Sequence, residues 1–204
     1  MAIQIWSDGQ YKRVDLAQYG ADGNLSGAYI WRDGAWRTLW EKEPAVVAWV
    51  DDFTTPQLHP RWELVWGTYT PPGLGAGQGQ SEVETHLPSD DCRLDIRGTA
   101  GAGDYWSATI TDGPNWGQGR EAGVAYDLGW LKIYTELDSF ETDFVMSPTD
   151  TVALTVVAGV ATLLLNGMTL KSLQTGLADT KWLRLIAGGY STGARITHVG
   201  YTPI

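Results

Sequence analysis

Apolar and polar residues alternate with a period of two along much of the chain beyond residue 45. In Cys92–Arg97, for example, Cys92, Leu94 and Ile96 fall on one face of an extended segment, which is typical of a half-buried β-strand. Short segments between turn signals predict further strands at Val46–Val50, Arg61–Tyr69, Trp106–Thr111, Gly123–Leu128, Leu131–Leu137, Phe140–Met146, Val152–Val157, Val160–Leu165, Trp182–Ala187 and Ile196–Tyr201. Turns rich in Gly, Asp, Asn and Pro separate these segments, and no stretch of ten residues has a convincing helical period. The sequence therefore predicts an all-β, antiparallel, two-sheet sandwich.

The first forty residues contain a short repeat. Ile5–Arg13 and Ile30–Thr38 both begin with Ile-Trp and continue through Asp-Gly to an aromatic residue followed by a basic one. Asp-Gly between β-prone residues favours a tight hairpin turn, so residues 1–43 are expected to form a small N-terminal segment of two β-hairpins. The charged, Pro-containing stretch Glu41–Ala45 then marks a boundary. The larger domain is assigned to residues 46–204.

Two hairpins bury too little apolar surface to be stable alone, so this segment is expected to pack on another chain or on the following domain. An assembly module and a plain N-terminal extension of one domain are both consistent with the pattern. The chain has 11 Trp against 3 Phe, and the tryptophans of the segment are interpreted as assembly contacts: Trp6, Trp31, Trp36 and Trp40.

Charge and cysteine content exclude several classes of function. The 204 residues carry a formal net charge of −10, which disfavours binding to nucleic acid or to anionic lipid. Cys92 is the single cysteine, so neither an internal disulfide nor a Cys-based zinc site can form. The first residues lack the basic and apolar regions of a secretory signal, and no stretch is long and apolar enough to cross a bilayer.

The order of features in the larger domain resembles a known family. Asp51-Asp52-Phe53 opens it, Asp150–Val156 leads through Val160–Leu165 to Asn166-Gly167, and Ile196–Tyr201 closes it. This order resembles the concanavalin A-like lectin/glucanase jelly roll, in the laminin-G-like form found in tail proteins of long-tailed phages. The N-terminal repeat similarly resembles attachment modules of actinobacteriophage minor tail proteins.

That resemblance implies a structural protein of a phage virion, a minor tail protein. It would be made in the host cytoplasm and assembled into the tail beside other tail proteins, as a homo-oligomer and most simply a trimer. Its jelly roll would bind host cell-wall glycan, or decorate the tail tip, without catalysis. A purely structural decoration domain that binds no sugar is the related alternative.

A sugar-binding site needs an aromatic face beside groups that hydrogen-bond hydroxyls. Two neighbouring loops supply such groups, and the candidates are Asp104, Tyr105, Asn115 and Trp116. Trp106 begins an alternating strand and is predicted to lie in the core instead. Trp66 and Trp130 fit either role.

A second class of function, a glycoside hydrolase, depends on Glu136-Leu137-Asp138-Ser139-Phe140-Glu141. The segment fits the Glu-x-Asp-x-x-Glu motif of laminarinase-like hydrolases, which implies Glu136 as nucleophile, Asp138 as its support and Glu141 as acid/base. On a continuous strand Glu136 and Asp138 share a face, whereas Glu141 needs a bulge near Ser139 to join them. The simpler interpretation is a tight turn between two strands that leaves these acids solvated, so no catalytic residue is assigned.

The sequence predicts no cofactor and no metal site, because it has no phosphate-binding loop and no recognisable metal-ligand spacing. The resemblance leaves one exception open, since relatives of the fold often hold a structural calcium ion. Its ligands here would be Asp51, Asp52 or Asp150. The alternative is that these are ordinary solvated loop carboxylates.

Overall fold

The chain forms two compact units, Met1–Ala45 and Val46–Ile204, in a computed structural model. The structure describes residues 3–7, 10–14, 16–19, 25–32, 35–41, 47–75, 79–89, 91–101, 104–113, 120–127, 129–177, 181–189 and 194–204. Within the described residues of both units, every element of regular secondary structure is a β-strand. No described helix is long and apolar enough to span a membrane.

The N-terminal unit consists of short antiparallel strands. They are β1 (Ile3–Ser7), β2 (Gln10–Val14), β3 (Leu16–Tyr19), β4 (Leu25–Arg32) and β5 (Ala35–Glu41). Strands β1 and β2 pair with each other, and β3, β4 and β5 form a three-stranded sheet in that order. Both pairings across an Asp-Gly dipeptide, β1 with β2 and β4 with β5, are present, and β3 adds a strand to the second hairpin.

The larger unit is a sandwich of two antiparallel sheets. Its strands are β6 (Trp49–Asp51), β7 (Glu63–Trp66), β8 (Gly79–Leu87), β9 (Cys92–Thr99), β10 (Asp104–Thr111), β11 (Glu121–Asp127), β12 (Trp130–Thr135), β13 (Ser139–Asp143), β14 (Val152–Val157), β15 (Val160–Leu165), β16 (Met168–Gln174), β17 (Lys181–Gly189) and β18 (Arg195–Pro203). One sheet has seven strands in the order β13-β12-β11-β10-β17-β8-β7, and the other has six in the order β16-β15-β14-β9-β18-β6. The predicted all-β jelly-roll sandwich is confirmed.

The core lies between the two sheets and contains the apolar half of each alternating strand. Leu94, Ile96 and Leu154 of the six-stranded sheet are fully buried, as are Trp106 and Ile133 of the seven-stranded sheet. Burial of a large apolar side chain stabilises the fold by about 1.5–3 kcal/mol, so this pattern fixes which face of each sheet points inward. The other face of the seven-stranded sheet remains available for function.

Two strands of the sandwich, β8 and β16, were not among the predicted ones. In β8 the inward residues are Val83, Thr85 and Leu87, and the outward ones include Glu82 and Glu84. The period of two is present, but only two of the inward residues are strongly apolar, so the segment does not have the composition typical of a strand. Pairing with β17 along its whole length supplies the stabilisation that the local sequence lacks.

Candidate glycan-binding and catalytic groove

The outward face of the seven-stranded sheet carries a row of side chains that runs across the strands. Glu82 of β8 pairs with Ile186 of β17, Ile186 with Ser107 of β10, Ser107 with Ala125 of β11, and Ala125 with Lys132 of β12. Residues directly opposite on paired strands share a face of the sheet. These side chains therefore form the floor of a single surface about four strand spacings wide, or roughly 19 Å.

A cavity of about 610 Å³ lies on this surface. It is lined by Gln80, Glu82, Tyr105, Ser107, Glu121, Ala125, Asp127, Lys132, Tyr134 and Ile186. Ser107 and Ala125 are small, which lowers the floor in the middle, while Tyr105 and Tyr134 stand at its sides. We call this cavity the groove. A cleft of this size with several inward-facing polar groups is typical of a small-molecule or saccharide site.

Tyr134 gains its position in the groove from a glycine. A Cβ atom on Gly123, which lies opposite Tyr134 in the ladder, would overlap the Tyr134 ring. The ring therefore lies across Gly123, and its hydroxyl is 2.5 Å from Thr109 Oγ1. Burial is the main cause that raises the pKa of Tyr134 to about 12, with a smaller contribution from the negative charge of Glu121. The Tyr134 side chain is therefore uncharged and is held in a fixed position beside Glu121.

An ionic cluster in which two carboxylates share one guanidinium forms the β8 side of the groove. Arg184 Nε lies 3.1 Å from Glu82 Oε1, and Arg184 Nη2 donates to Glu84 Oε2 at 3.0 Å. Arg184 is 5% exposed, and the two glutamates are 9% and 8% exposed. Buried carboxylates need such a partner, because an unpaired buried charge is strongly destabilising. We call Glu82, Glu84 and Arg184 the paired cluster.

Hydrogen bonds extend the paired cluster along the wall of the groove. Gln80 Nε2 donates to Glu82 Oε2 at 3.2 Å, and Tyr105 Oη donates to Gln80 Oε1 at 2.7 Å. This chain of contacts fixes the orientation of the Gln80 amide. The wall consequently presents fixed donors and acceptors to whatever occupies the groove, which lowers the entropic cost of recognition.

A second pair of carboxyl groups, Glu121 and Glu136, has the opposite environment. The register places Ala122 opposite Thr135, so Glu121 and Glu136 face each other at the next step of the same hairpin. Like charges directly opposite on neighbouring strands destabilise a sheet. The pKa of Glu121 is raised above its ordinary value, mainly by burial and further by the charge of Glu136. We call these two residues the unbalanced pair.

Glu136 is held as a hydrogen-bond acceptor. Its Oε2 atom accepts from the backbone N–H of Glu121 at 3.3 Å and from Thr175 Oγ1 at 3.2 Å, and its Oε1 atom accepts from the backbone N–H of Gly176. Donors of this kind suit an ionised carboxylate. Glu121, which lines the groove, thus lies beside a carboxylate whose position is fixed by three protein donors.

A smaller cavity of about 200 Å³ adjoins the groove. It is lined by Ala125, Asp127, Trp130, Lys132 and Glu141, three of which also line the groove. Trp130 is 43% exposed, so its ring faces solvent rather than the core. The two cavities together extend the site from β8 to β13.

The structure separates the residues of the predicted hydrolase motif. Glu136 lies in the turn after β12, where Thr135 Oγ1 accepts the backbone N–H groups of Leu137 and Asp138. Asp138 accepts the N–H of Ser139 and supports this turn. Glu141 lies on β13 opposite Lys132 and lines the smaller cavity. The turn between two strands is present, and the structure pairs Glu136 with Glu121 rather than with Glu141.

The predicted sugar-binding residues have different outcomes. Tyr105 lines the groove. Asp104 is fully buried and packs against Gly189, so its carboxylate does not face the groove. Asn115 and Trp116 lie outside the described residues.

The N-terminal tryptophans lie on described strands, with Trp31 of β4 opposite Trp36 of β5 in the register. Trp6 lies on β1 and Trp40 on β5. The side chains of these four residues lie outside what the structure describes. Their role in assembly, like the trimer and the tail-protein partners, stays a prediction.

The acids proposed for calcium already have protein partners. Asp51 accepts from the Phe53 N–H and from Trp62 Nε1, both at 2.8 Å, and Asp52 contacts His198 Nδ1. Asp150 accepts from Asn166 Nδ2, and this bond is the main cause that lowers the pKa of Asp150. Among the described residues, no group of three or more His, Cys, Asp and Glu side chains is arranged to hold a metal ion.

Comparisons with known proteins identify the fold. No family model matches the chain, and no match was found among curated protein sequences. The Crh5 transglycosylase has a similar structure, with a TM-score of 0.57 and 14% identity over 76% of this chain and 84% of that chain. A prokaryotic β-1,3-1,4-glucanase (lichenase) from a mouse hindgut metagenome has a TM-score of 0.53 and 12% identity over 77% and 99% of the two chains. A laminarinase from Flavobacterium has a TM-score of 0.55 and 9% identity over 75% and 98%.

These similarities confirm the concanavalin A-like jelly roll and correct the predicted function. The expectation of a non-catalytic phage tail protein is wrong, because the similar structures are glycoside hydrolases and a transglycosylase. They favour the alternative of a glycoside hydrolase. At these identities the similarity establishes the fold alone.

Sequence reasoning missed the residues that define the groove. Glu82 and Glu84 lie on the strand that was not predicted, although their alternation with Val83 and Thr85 carries the period of two. Glu121 was missed because the predicted strand began at Gly123, whereas β11 begins at Glu121. A search for carboxylates opposite each other in the hairpin would have found Glu121 and Glu136.

Proposed function

We propose that the chain cleaves glycosidic bonds of a polysaccharide bound in the groove. The observation that carries the proposal is the unbalanced pair, in which Glu121, with a raised pKa, lies beside the hydrogen-bonded carboxylate of Glu136. Glycoside hydrolysis needs one carboxyl group that keeps its proton and one that is ionised. Burial beside a second carboxyl group is one means of keeping a proton on an acid, and burial is the main cause that raises the pKa of Glu121.

In the proposed reaction Glu121 is the general acid. It donates its proton to the oxygen of the leaving sugar as the glycosidic bond breaks, and Glu136 stabilises the positive charge that develops on the other sugar ring. Water then completes the hydrolysis. The position of Glu121 on the groove lining and the fixed position of Glu136 support these roles.

The enzymes of similar fold support the proposal through the activities for which they are named. They are a transglycosylase, a β-1,3-1,4-glucanase and a laminarinase. We therefore propose a β-linked glucan as the first substrate class to test. The groove spans several strands, which suits a polymer better than a single sugar.

The test is release of reducing ends from soluble β-1,3-glucan and β-1,3-1,4-glucan by the full chain and by three single variants. We expect Glu121→Gln and Glu136→Gln each to lower the rate by about 10²–10⁴-fold, the range for loss of a general acid or base. Glu141→Gln is the matched control and should retain most of the activity. Loss of activity in Glu141→Gln together with retention in Glu121→Gln would instead support the motif pair predicted from sequence.

A further inference from the structure

The guanidinium group of Arg120 lies close to the unbalanced pair. Arg120 directly precedes Glu121 in the chain, and its Nη1 atom would be 3.6 Å from a Cβ atom placed on Gly176. Glu136 Oε1 would be 2.9 Å from the same Cβ atom. The cation and the Glu136 carboxylate therefore lie against the same glycine, and a change of the Arg120 rotamer would bring them together.

Asp112 holds Arg120 in a different ion pair. Asp112 Oδ2 lies 2.9 Å from Arg120 Nε, and Asp112 Oδ1 accepts the backbone N–H of Arg120 at 2.8 Å. The backbone N–H of Asp112 donates in turn to the Arg120 carbonyl oxygen at 3.2 Å. Because Asp112 binds both the backbone and the side chain of Arg120, it fixes the direction in which the guanidinium points.

Uncharged groups hold Glu136 instead of a cation. Thr175, which is 8% exposed, donates from Oγ1 to Glu136 at 3.2 Å. The backbone N–H groups of Glu121 and Gly176 supply the other two hydrogen bonds. Donors of this kind fix the carboxylate in place, but they do not cancel its net charge as a guanidinium would. The negative charge of Glu136 therefore remains beside Glu121.

We propose that Asp112 is a positioning residue that keeps Arg120 away from Glu136 and so preserves the negative charge beside the proton donor Glu121. The proposal deepens the proposed cleavage activity and rests on that function for the identity of the reaction. If Arg120 paired with Glu136, Glu121 would lose one of the two causes that raise its pKa, which is the charge of Glu136. A neutralised Glu136 would also stabilise the positive charge on the sugar less well.

The other charged and titratable groups described around the unbalanced pair come from several elements. Tyr134 of β12 is uncharged, and the segment after β16 contributes the Thr175 hydroxyl and a backbone N–H. Asp138 accepts a backbone N–H of its own turn. The ion pair of Arg120 and Asp112 completes the set. Among these groups Arg120 is the cation, so its choice of partner decides the charge of the unbalanced pair.

The first test measures the pKa of Glu121 by carbon-detected NMR of the side-chain carboxyl groups, with the signal assigned by its loss in Glu121→Gln. Asp112→Asn keeps an oxygen for the Arg120 backbone N–H but removes the anion that holds the guanidinium. The pKa of Glu121 should fall in Asp112→Asn, because Arg120 then pairs with Glu136. It should return close to the wild-type value in the double variant Asp112→Asn, Arg120→Gln.

A Glu136→Gln background separates pairing from a general effect of the lost Asp112 charge. If Arg120 acts by pairing with Glu136, Asp112→Asn should leave the pKa of Glu121 unchanged in this background. An equal fall with and without Glu136 would show that the charge of Asp112 acts on Glu121 directly, and it would overturn the proposal.

The second test measures release of reducing ends from soluble β-1,3-glucan and β-1,3-1,4-glucan at pH 7. Asp112→Asn should lower kcat about tenfold or more, because the protonated fraction of a general acid falls about tenfold when its pKa falls by one. KM should change little, since substrate contacts are not altered. Arg120→Gln alone should retain most of the activity, and the double variant should recover most of the lost rate. A purely structural role of Asp112 would not be rescued by removing its partner.

Asp95→Asn is the matched control, because Asp95 forms an ion pair of 2.7 Å with Arg93 on β9 of the six-stranded sheet. An equal loss of rate in Asp95→Asn, or no rescue by Arg120→Gln, would overturn the positioning role. A Glu121 pKa that responds as expected in a chain that cleaves neither glucan would refute the proposed function and support the positioning role. Cleavage by the wild type together with an unchanged Glu121 pKa in Asp112→Asn would do the reverse.

Discussion

The paired cluster and the unbalanced pair lie on the same face of one sheet and use the same residue type in opposite ways. Glu82 and Glu84 share a guanidinium and are almost entirely buried. Glu121 and Glu136 face each other as like charges, and the neighbouring guanidinium of Arg120 is paired with Asp112 instead. The first arrangement gives each carboxylate a contact with a cation, although the cluster as a whole keeps a net charge of −1. The second leaves an electrostatic cost in the folded state.

This difference separates structural residues from reactive ones. Charges that a fold has neutralised contribute rigidity and are costly to disturb. An uncompensated interaction that persists in a folded protein is often found where chemistry occurs, because a shifted pKa is useful there. The two clusters should therefore respond in opposite directions when one member loses its charge.

The largest expected loss of stability is that of Arg184→Met. The substitution keeps much of the side-chain volume but leaves two buried carboxylates without their cation, so the free energy of unfolding should fall by about 3–5 kcal/mol. Urea denaturation followed by tryptophan fluorescence measures it. The triple variant Glu82→Gln, Glu84→Gln, Arg184→Met should recover part of the loss. A loss below about 1 kcal/mol would show that the paired cluster is not needed for stability.

A loss of stability of intermediate size is expected for Gly123→Ala, which changes the region between the paired cluster and the unbalanced pair. Gly123 lies between Thr109 and Tyr134 in the ladder, and Thr109 lies opposite Arg184. Gly123→Ala would force the Tyr134 ring off its position, at a cost of about 1–3 kcal/mol in unfolding free energy. Thermal unfolding measures the loss, and Ala125→Ser, a small change elsewhere on the same strand, is the control. If Gly123→Ala is as stable as the control, Tyr134 is not fixed by this glycine.

Glu121→Gln is expected to raise the free energy of unfolding slightly, whereas the two preceding substitutions lower it. A carboxyl whose pKa is higher in the folded than in the unfolded chain binds its proton more tightly when folded. Stability therefore falls as the pH rises from the ordinary carboxyl range through the raised pKa, and stays lower above it. Removing the charge should stabilise the fold at pH 7 by up to about 1 kcal/mol, because partial exposure screens the interaction.

The sign of this effect can be checked by repeating the denaturation at lower pH. Below about pH 3 both folded and unfolded Glu121 are protonated in the wild-type chain, so the difference between wild type and Glu121→Gln should disappear. A variant that is more stable and yet inactive would carry the signature of a functional site. A destabilised Glu121→Gln at pH 7 would contradict the assignment of an unbalanced pair.

The smallest effect is expected for a partly exposed ion pair close to the same hairpin. Arg120 Nε lies 2.9 Å from Asp112 Oδ2, with the two side chains 52% and 11% exposed, and an Asn at position 112 keeps an oxygen for the Arg120 backbone N–H that Asp112 Oδ1 now accepts. Asp112→Asn should change the free energy of unfolding by about 0.5 kcal/mol or less, as is usual for surface pairs. The same denaturation assay measures it. A loss comparable to that of Arg184→Met would show that burial does not explain the difference between the two clusters.

Much of the fold could be predicted because its strands carry their own pattern. Cys92, Leu94 and Ile96 alternate with charged residues, and all three are fully buried on β9. The same reasoning placed Trp106 in the core. The pattern was sufficient because a slip of one residue in the pairing would turn the whole apolar face of an alternating strand towards solvent.

The groove could not be predicted in the same way, because its residues come from strands distant in sequence. Glu84 and Arg184 are one hundred residues apart in the chain and adjacent in the sheet. Strand β8 has few apolar residues, so its local sequence does not indicate a strand, and its pairing with β17 supplies what is missing. The motif that contains Glu136 can be seen in the sequence. The residue that lies beside Glu136 in the structure, Glu121, is identified only by the register of the β11–β12 hairpin.

The sequence by itself determined the class of the fold, since the period-two alternation of apolar residues decides which face of each strand is buried. The tertiary structure alone decided which carboxylates are neutralised and which are not. Hydrophobic burial is non-directional and is encoded locally along each strand. Charge balance depends on distances of a few ångströms between residues that only the order and register of the strands bring together.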